Sequence, residues 1–254
     1  MRPPVIPVVQ WSGWLAIAAA IIWSAWSTEV SPGRLIEGFP FMLDFLRRML
    51  PPDPSVLGQA LRGALQTLQI AVVGTAVGAV LALPVAFAAA RNTAPAWAFY
   101  WTRSALNVFR AMDTLVYALF FVAAVGLGPF PGVLAVVVYT ATVLAKLYSE
   151  AIEAMDPLPV EAVEAVGATR LQVLRWGVVP QLVPHFLSFT LYRFETNIRA
   201  AAVLGFVGAG GIGFYIQTYL RLLNYPAAST VLLVLVVMVM VVDFASSRLR
   251  ARLV

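Results

Sequence analysis

The 254-residue chain contains no cysteine, a single histidine (His185) and a single lysine (Lys146). The first absence excludes disulfides, thiol nucleophiles and thiolate metal sites. One histidine without cysteine is a poor metal-ligand set, so no metal site is expected, and it leaves little acid–base chemistry near pH 7. The lone lysine is followed by Leu147, whereas a P-loop needs Gly-Lys and then Ser or Thr to cradle phosphates. The chain therefore has no Walker-type ATP site of its own. Any active work it performs draws on a partner or an ion gradient. Neither HExxH nor GxSxG occurs, which counts against a membrane-embedded hydrolase. Charge is also scarce: 11% of residues are charged, against about 25% in a soluble domain.

What is abundant is apolar. The apolar fraction is 61% and the mean hydropathy is +0.86, which predicts an all-α integral membrane protein surrounded by lipid. The net charge of +5 does not indicate nucleic acid, because the basic residues stand at the ends of apolar runs, as membrane topology requires. A span needs about 20 mostly apolar residues, and about six candidates follow. The first is Trp14 to Trp26, with Trp11, Trp14, Trp23 and Trp26 as interfacial anchors. A cleaved signal peptide is the alternative there, since Arg2 precedes a short apolar core. A mixed-charge segment, Glu29 to Arg62, reads as loop around "MLPPDPS". The second span is Gly63 to Ala90, bent or ending near Pro84. An amphipathic linker with Arg91, Arg103 and Arg110 follows. Thr114 to Ala145 reads as two spans joined by a hairpin at "GLGPFPG". The fifth span is Pro180 to Ala202 and the sixth Leu222 to Val242, separated by "GFVGAGGIG". Two segments are expected: residues 1–62, an N-terminal span with its flanking loop, and residues 63–254, the main transmembrane domain.

Orientation follows from the basic residues. With the N-terminus inside, Arg2, Arg91, Arg103, Arg110, Lys146, Arg170, Arg175, Arg248, Arg250 and Arg252 fall on the cytoplasmic side. Arg34, Arg47, Arg48, Arg62 and Arg221 fall opposite. The bias places both termini in the cytoplasm. There is no internal repeat of the kind from which many secondary transporters are built, so one six-span unit suits half of a pathway completed by a second copy.

The polar stretch "DPLPVEAVEAVGATRLQVLRWGVVP" lies between spans four and five, within a loop taken as 149–180. Pro159 suits a first helical turn, Glu161 and Glu164 favour a helix N-terminus, Gly167 can end that helix, and Thr169 can cap the next. Helix, corner, helix is a compact element for another protein to grip, although an ordinary amphipathic loop helix would look similar. Permeases of binding-protein-dependent ABC importers carry here Glu-Ala-Ala, three residues, Gly, nine residues, then Ile-x-Leu-Pro. This chain has Glu161-Ala162-Val163, Gly167 and Gly177-Val178-Val179-Pro180 at the same spacing. The strings "FVAAVGLGPFPGVLA", "AKLYSEAIEAMD", "VVPQLVPHFLSFTLYRFETNIRAAAVLGFVGAGGIG" and "MLPPDPS" further resemble the permease of phosphonate ABC transporters, from about Pro51 to the tail. One departure is Met112-Asp113, where that family has Pro-Glu.

The resemblance implies a type I ABC importer permease, methionine-permease-like in fold, in the bacterial inner membrane. It implies a homodimer with two ATP-binding subunits and a periplasmic phosphonate-binding protein. ATP and magnesium would then belong to the partner, and this chain would carry no cofactor. Glu161, Ala162, Glu164, Gly167 and Arg170 would form the coupling helix and its corner.

Span five holds the chain's oddest feature, Arg193, Glu195, Asn197 and Arg199 in an apolar run. A charge at the bilayer centre costs roughly 2.5–3.5 kcal/mol on insertion scales. At 100° per residue, Arg193 and Asn197 share one face, and Glu195 and Arg199 share the nearly opposite one. Glu195 precedes Arg199 by four residues, the favourable order for an ion pair, while Arg193 has no acidic partner in register. Two functions fit: a structural network that locks the bundle, or guanidinium groups that meet an anionic substrate in transit. "GAGGIG" mimics the dinucleotide fingerprint but follows a span, and the next acidic residue is Asp243, so that match is rejected. Gly208, Gly210, Gly211 and Gly213 are expected either to form an outward gate or to be a plain turn outside the membrane. Substrates other than phosphonate stay open: phosphite or phosphate-like oxyanions, or methionine.

Overall fold

A computed structural model describes residues 7–250, with side chains from Gly13 onward. Arg2 and Arg252 of the orientation count lie outside the described residues, as does the side chain of Trp11. Every regular element among the described residues is helical. The chain divides into two units, one through Arg48 and one from Met49 on.

The first unit contains α1 (Pro7–Ser27) and α2 (Pro32–Arg48), bent by 48° at the break between them. Helix α2 corrects the expectation of a loop from Glu29 to Arg62. Its apolar residues Leu35, Ile36, Phe39, Met42, Leu43 and Leu46 recur at three- and four-residue spacing, which makes one helical stripe. Interspersed charges concealed it, two of them paired within the helix as Arg48–Asp44 at 2.8 Å.

The second unit is a bundle organised on α3 (Leu57–Ala89), a 33-residue helix that begins upstream of Gly63 and takes in Arg62. It does not stop at Pro84. The proline removes one backbone donor, but Ala82, Ala86 and Ala89 are fully buried around it, and packing holds the helix through the gap. Helix α4 (Ala96–Arg110) is the amphipathic linker, and α5 (Thr114–Val125) follows after a bend of 83°. The Asp113 carboxylate accepts the Thr114 N–H at 2.7 Å, so the helix start is well formed without the family's proline. Helix α5 has 12 residues, about 18 Å at 1.5 Å per residue, short of the roughly 30 Å hydrocarbon core. The expected pair of full spans is therefore one half-length helix and one long helix, α6 (Pro129–Glu153).

Helices α3 and α6 run parallel, because Gly74 meets Val136 and Gly78 meets Thr140. Small residues one turn apart let two backbones approach closely within a membrane, where there is no hydrophobic drive between helices. A Cβ on Gly78 would lie 2.8 Å from the Thr140 Cβ. At the far end of this pair, Glu153 accepts the Arg91 N–H at 2.7 Å and an Arg103 guanidinium N–H at 2.8 Å. Arg103 also donates to the Ala89 carbonyl at 3.2 Å. One carboxylate thus joins the ends of α3 and α6 to α4. Replacing Glu153 with alanine is expected to lower stability by about 1 kcal/mol, a figure reduced by partial exposure. The thermal midpoint of the detergent-solubilised protein would read the change.

The polar loop after α6 contains α7 (Leu158–Ala165) and α8 (Arg170–Val173), then a wide five-residue π turn, Leu174–Val178. Gly167 forms the corner with φ of +80°, and Thr169 forms a capping box with Gln172, as the sequence predicts. Helix α9 (Val179–Leu204) returns through the bundle and α10 (Ile212–Arg221) continues after a 40° bend. Helix α10 was not expected. Helix α11 (Tyr225–Arg250) closes the bundle and reaches past the expected end at Val242. Among the described residues, three helices are long and apolar enough to cross a membrane, or up to six if each bent pair is one span.

Candidate functional site

Arg193, Glu195, Asn197 and Arg199 of α9 separate onto two environments, as their spacing predicts. Asn197 is fully buried and Arg193 is 9% exposed. The Asn197 amide donates to the hydroxyls of Thr75 on α3 and Thr140 on α6, both at 2.8 Å. It therefore ties the three central helices together at mid-bundle. The Arg193 guanidinium lies over the Tyr139 ring, 4.5 Å from its centroid. Its Nε has no hydrogen-bond partner, nor has the Asn197 Oδ1. No carboxylate among the described residues pairs with Arg193. Tyr139 and the charge of Asp113 act on this cation, but no described carboxylate lies within ion-pair distance and the Nε donor stays unspent.

On the other face, Glu195 accepts Arg199 at 3.1 Å, the pair expected from the sequence. The sequence did not announce the rest. Glu195 also accepts Arg250 at 2.7 Å, and Arg199 reaches Asp243 at 3.2 Å. Two cations and two anions make a neutral quartet between α9 and α11. In sequence Arg250 is one more basic residue of the tail and a topology signal, and its pairing with a residue 55 positions away leaves no local trace.

The glycine string is not a turn outside the bundle. After α9 come a tight turn at Gly205–Val207 and three left-handed glycines, Gly208, Gly210 and Gly211, with φ of +81°, +79° and +82°. The Gly211 N–H is accepted by Gln66 and the Ile212 N–H by Thr67, both at 2.8 Å. Thr67 lies about 15 Å along α3 from Leu57, at 1.5 Å per residue. From there α10 runs back along α3, with the Tyr219 hydroxyl meeting Gln59. The tip of the α5–α6 hairpin arrives at the same level, where the Gly128 N–H donates to the Gly208 carbonyl at 2.9 Å. Irregular backbone buried in a bundle persists only when protein satisfies it. Here Gln66, Thr67 and Gly208 do so. No strand precedes the string among the described residues, in keeping with the rejected dinucleotide match.

Helix α7 has no buried residue. Glu161, Ala162, Glu164, Gly167 and Arg170 are all exposed, and around them Leu158, Val166, Leu171 and Trp176 are 67%, 83%, 75% and 64% exposed. His185 faces a cavity of about 510 Å³ between the foot of α9 and the end of α6, shared with Glu150, Asp156 and Gln181. The loop elements, the polar seam and the glycine break are thus three separate places along α9 and its extensions.

Comparison with known proteins fits this architecture. A chain of the MetNI methionine ABC transporter in an inward-facing conformation superposes with a TM-score of 0.68. It is 23% identical, covering 80% of this chain and 99% of that one. The phosphite transport system permease protein PtxC of Stutzerimonas stutzeri is 43% identical over 217 residues, 85% of this chain and 79% of the relative. A cryptic phosphonate transport system permease protein of Escherichia coli, PhnE2, is 44% identical over 117 residues, 46% of this chain and 96% of the relative. The sequence pattern of the binding-protein-dependent transport system inner membrane components matches residues 56–254. A multi-pass membrane bundle with this fold and this pattern over most of its length belongs to that family of transport subunits.

Proposed function

We infer that the chain is the permease subunit of an ATP-driven importer for phosphonate- or phosphite-type anions. The observation that carries this is Arg193, a buried cation with no carboxylate partner among the described residues. A guanidinium left unpaired in a bundle suits brief contact with phosphorus oxyanions, whose oxygens match its planar fork. The neutral quartet of Glu195, Arg199, Asp243 and Arg250 suits the locking function, with Asn197 holding α9 against α3 and α6. Gly208, Gly210, Gly211 and Gly213 then serve as a gate within the membrane. The names of the two relatives, phosphite and phosphonate, favour such cargo.

In this reading residues 63–254 form the permease domain and 1–62 an N-terminal appendage. Both termini lie in the cytoplasm, and a second copy completes the path. Two ATP-binding subunits, which hold ATP and magnesium, grip α7 through Glu161, Ala162, Glu164, Gly167 and Arg170. A periplasmic binding protein delivers substrate to the opposite end. The test is growth of a bacterial strain lacking its own phosphonate and phosphite uptake. Supplied with this chain and its ATP-binding and solute-binding partners, it is expected to grow on phosphite or methylphosphonate as sole phosphorus source. No growth on either, with all subunits present in the membrane, would remove the proposal.

A further inference from the structure

We propose that Gln181 is a positioning residue that fastens the α7 loop to the foot of α9, so that both move as one lever. This rests on α7 being the element gripped by the ATP-binding subunit. The problem it solves is mechanical. No residue of α7 is fully buried, and it packs on the π turn and α8 rather than along α9, so a push on it reaches α9 only through that loop.

Two features make the connection. Gly177, in the π turn, is buried against α7: a Cβ there would approach the Val160 Cα at 3.1 Å. The π turn stands just before Pro180, whose ring crowds the preceding turn and supplies no N–H. The second feature is the Gln181 amide. Its Oε1 accepts the Asp156 N–H at 3.2 Å, and its Nε2 donates to the Asp156 carbonyl at 3.2 Å and the Gly177 carbonyl at 2.7 Å. Asp156 in turn accepts the Leu158 N–H at 3.0 Å, at the start of α7. One side chain on α9 therefore holds both backbone groups of the residue that leads into α7, and also the turn on which α7 sits. Only a primary amide offers an acceptor and a two-hydrogen donor at one tip. Glutamate lacks the donors, and methionine offers only a weak sulfur acceptor.

The absence of cysteine lets the link be watched directly. Spin labels at Val166→Cys on the loop and Tyr192→Cys on α9, positions 83% and 50% exposed, would report their separation. The measurement uses the chain co-expressed with its ATP-binding and solute-binding subunits in lipid bilayers. A narrow distance distribution that keeps its width when ATP is added is expected for Gln181. Broadening is expected for Gln181→Met and Gln181→Glu. In the same preparations, phosphite moved per ATP hydrolysed is expected to fall about tenfold, with hydrolysis itself within about twofold of the parent. A merely structural lesion would lower hydrolysis and uptake together. An unbroadened distribution in Gln181→Met, or a parallel loss of both activities, overturns the proposal. Failure of the ATP-binding subunit to co-purify with the parent chain would instead overturn the reading of α7, while the label distances would still report on the link.

Discussion

Replacing Gly213 with alanine is expected to cost about 3 kcal/mol or more and to leave little protein folded in the membrane. The added Cβ would fall on the Ala202 carbonyl oxygen, with the Gly205 Cα at 3.2 Å on its other side. Neither is the movable end of a side chain. The last turn of α9 and the first turn of α10 touch backbone to backbone here, so relief requires the break itself to open. Opening it would pull the buried Gly211 and Ile212 N–H groups from Gln66 and Thr67, and leaving buried donors unpaired is costly. Gly126→Ala is the control. Gly126 has φ of +89° with an extended ψ of 178° but nothing within 4 Å of its Cβ position, so backbone strain of about 1–3 kcal/mol, with no clash, is expected. Size-exclusion profiles of heated, detergent-solubilised variants would separate the two, and equal behaviour would show that the α9–α10 approach is not a close one.

The second large effect is expected at Arg193, with opposite signs for activity and stability. Arg193→Met keeps most of the side-chain bulk over the Tyr139 ring but removes the charge. Insertion scales assign a central arginine a cost of roughly 2.5–3.5 kcal/mol, while the ring contact returns only about 0.5–2 kcal/mol. The thermal midpoint is therefore expected to stay level or rise. Anion uptake is expected to fall between about tenfold and a hundredfold, the loss of one or two charge-assisted hydrogen bonds in transit. Arg199→Met should behave differently. It leaves Asp243 without its partner at 3.2 Å while Glu195 keeps Arg250 at 2.7 Å, so the midpoint is expected to drop. Unchanged uptake in Arg193→Met with normal protein levels would mean that the buried cation serves packing alone.

Local features were legible from the sequence wherever the physics is local. The Glu195–Arg199 pair follows from four-residue spacing, the Gly167 corner from the left-handed freedom of glycine, and the Thr169 cap from its hydroxyl at a helix start. The separation of Arg193 and Asn197 from their neighbours follows from the helical angle alone. What escaped was depth and distance. An apolar run carries no mark of how far it reaches into a membrane, so half-length α5 read as a full span. The glycine string gave its flexibility away but not its place at the level of Thr67. Asp243 and Arg250 complete the quartet from another helix, and Thr75 and Thr140 receive Asn197 from two more. Such pairings are set by the fold, not by spacing. Helix α2 was recoverable, since its stripe from Leu35 to Leu46 has helical period, but its charges and prolines suggested loop.

The parallel union of α3 and α6 has a mechanical corollary. At Gly74 and Gly78 the α3 backbone packs directly on the Val136 and Thr140 side chains of α6, β-branched groups with few rotamers, and so close a seam leaves little room for a second resting position. Helices α9 and α11, by contrast, are held to each other by ion pairs that can exchange partners without unpacking. Asn197 fastens α9 to the same seam, so α3, α6 and α9 are suited to move as one body, and any rearrangement within the chain would fall to α11 exchanging ion pairs against it.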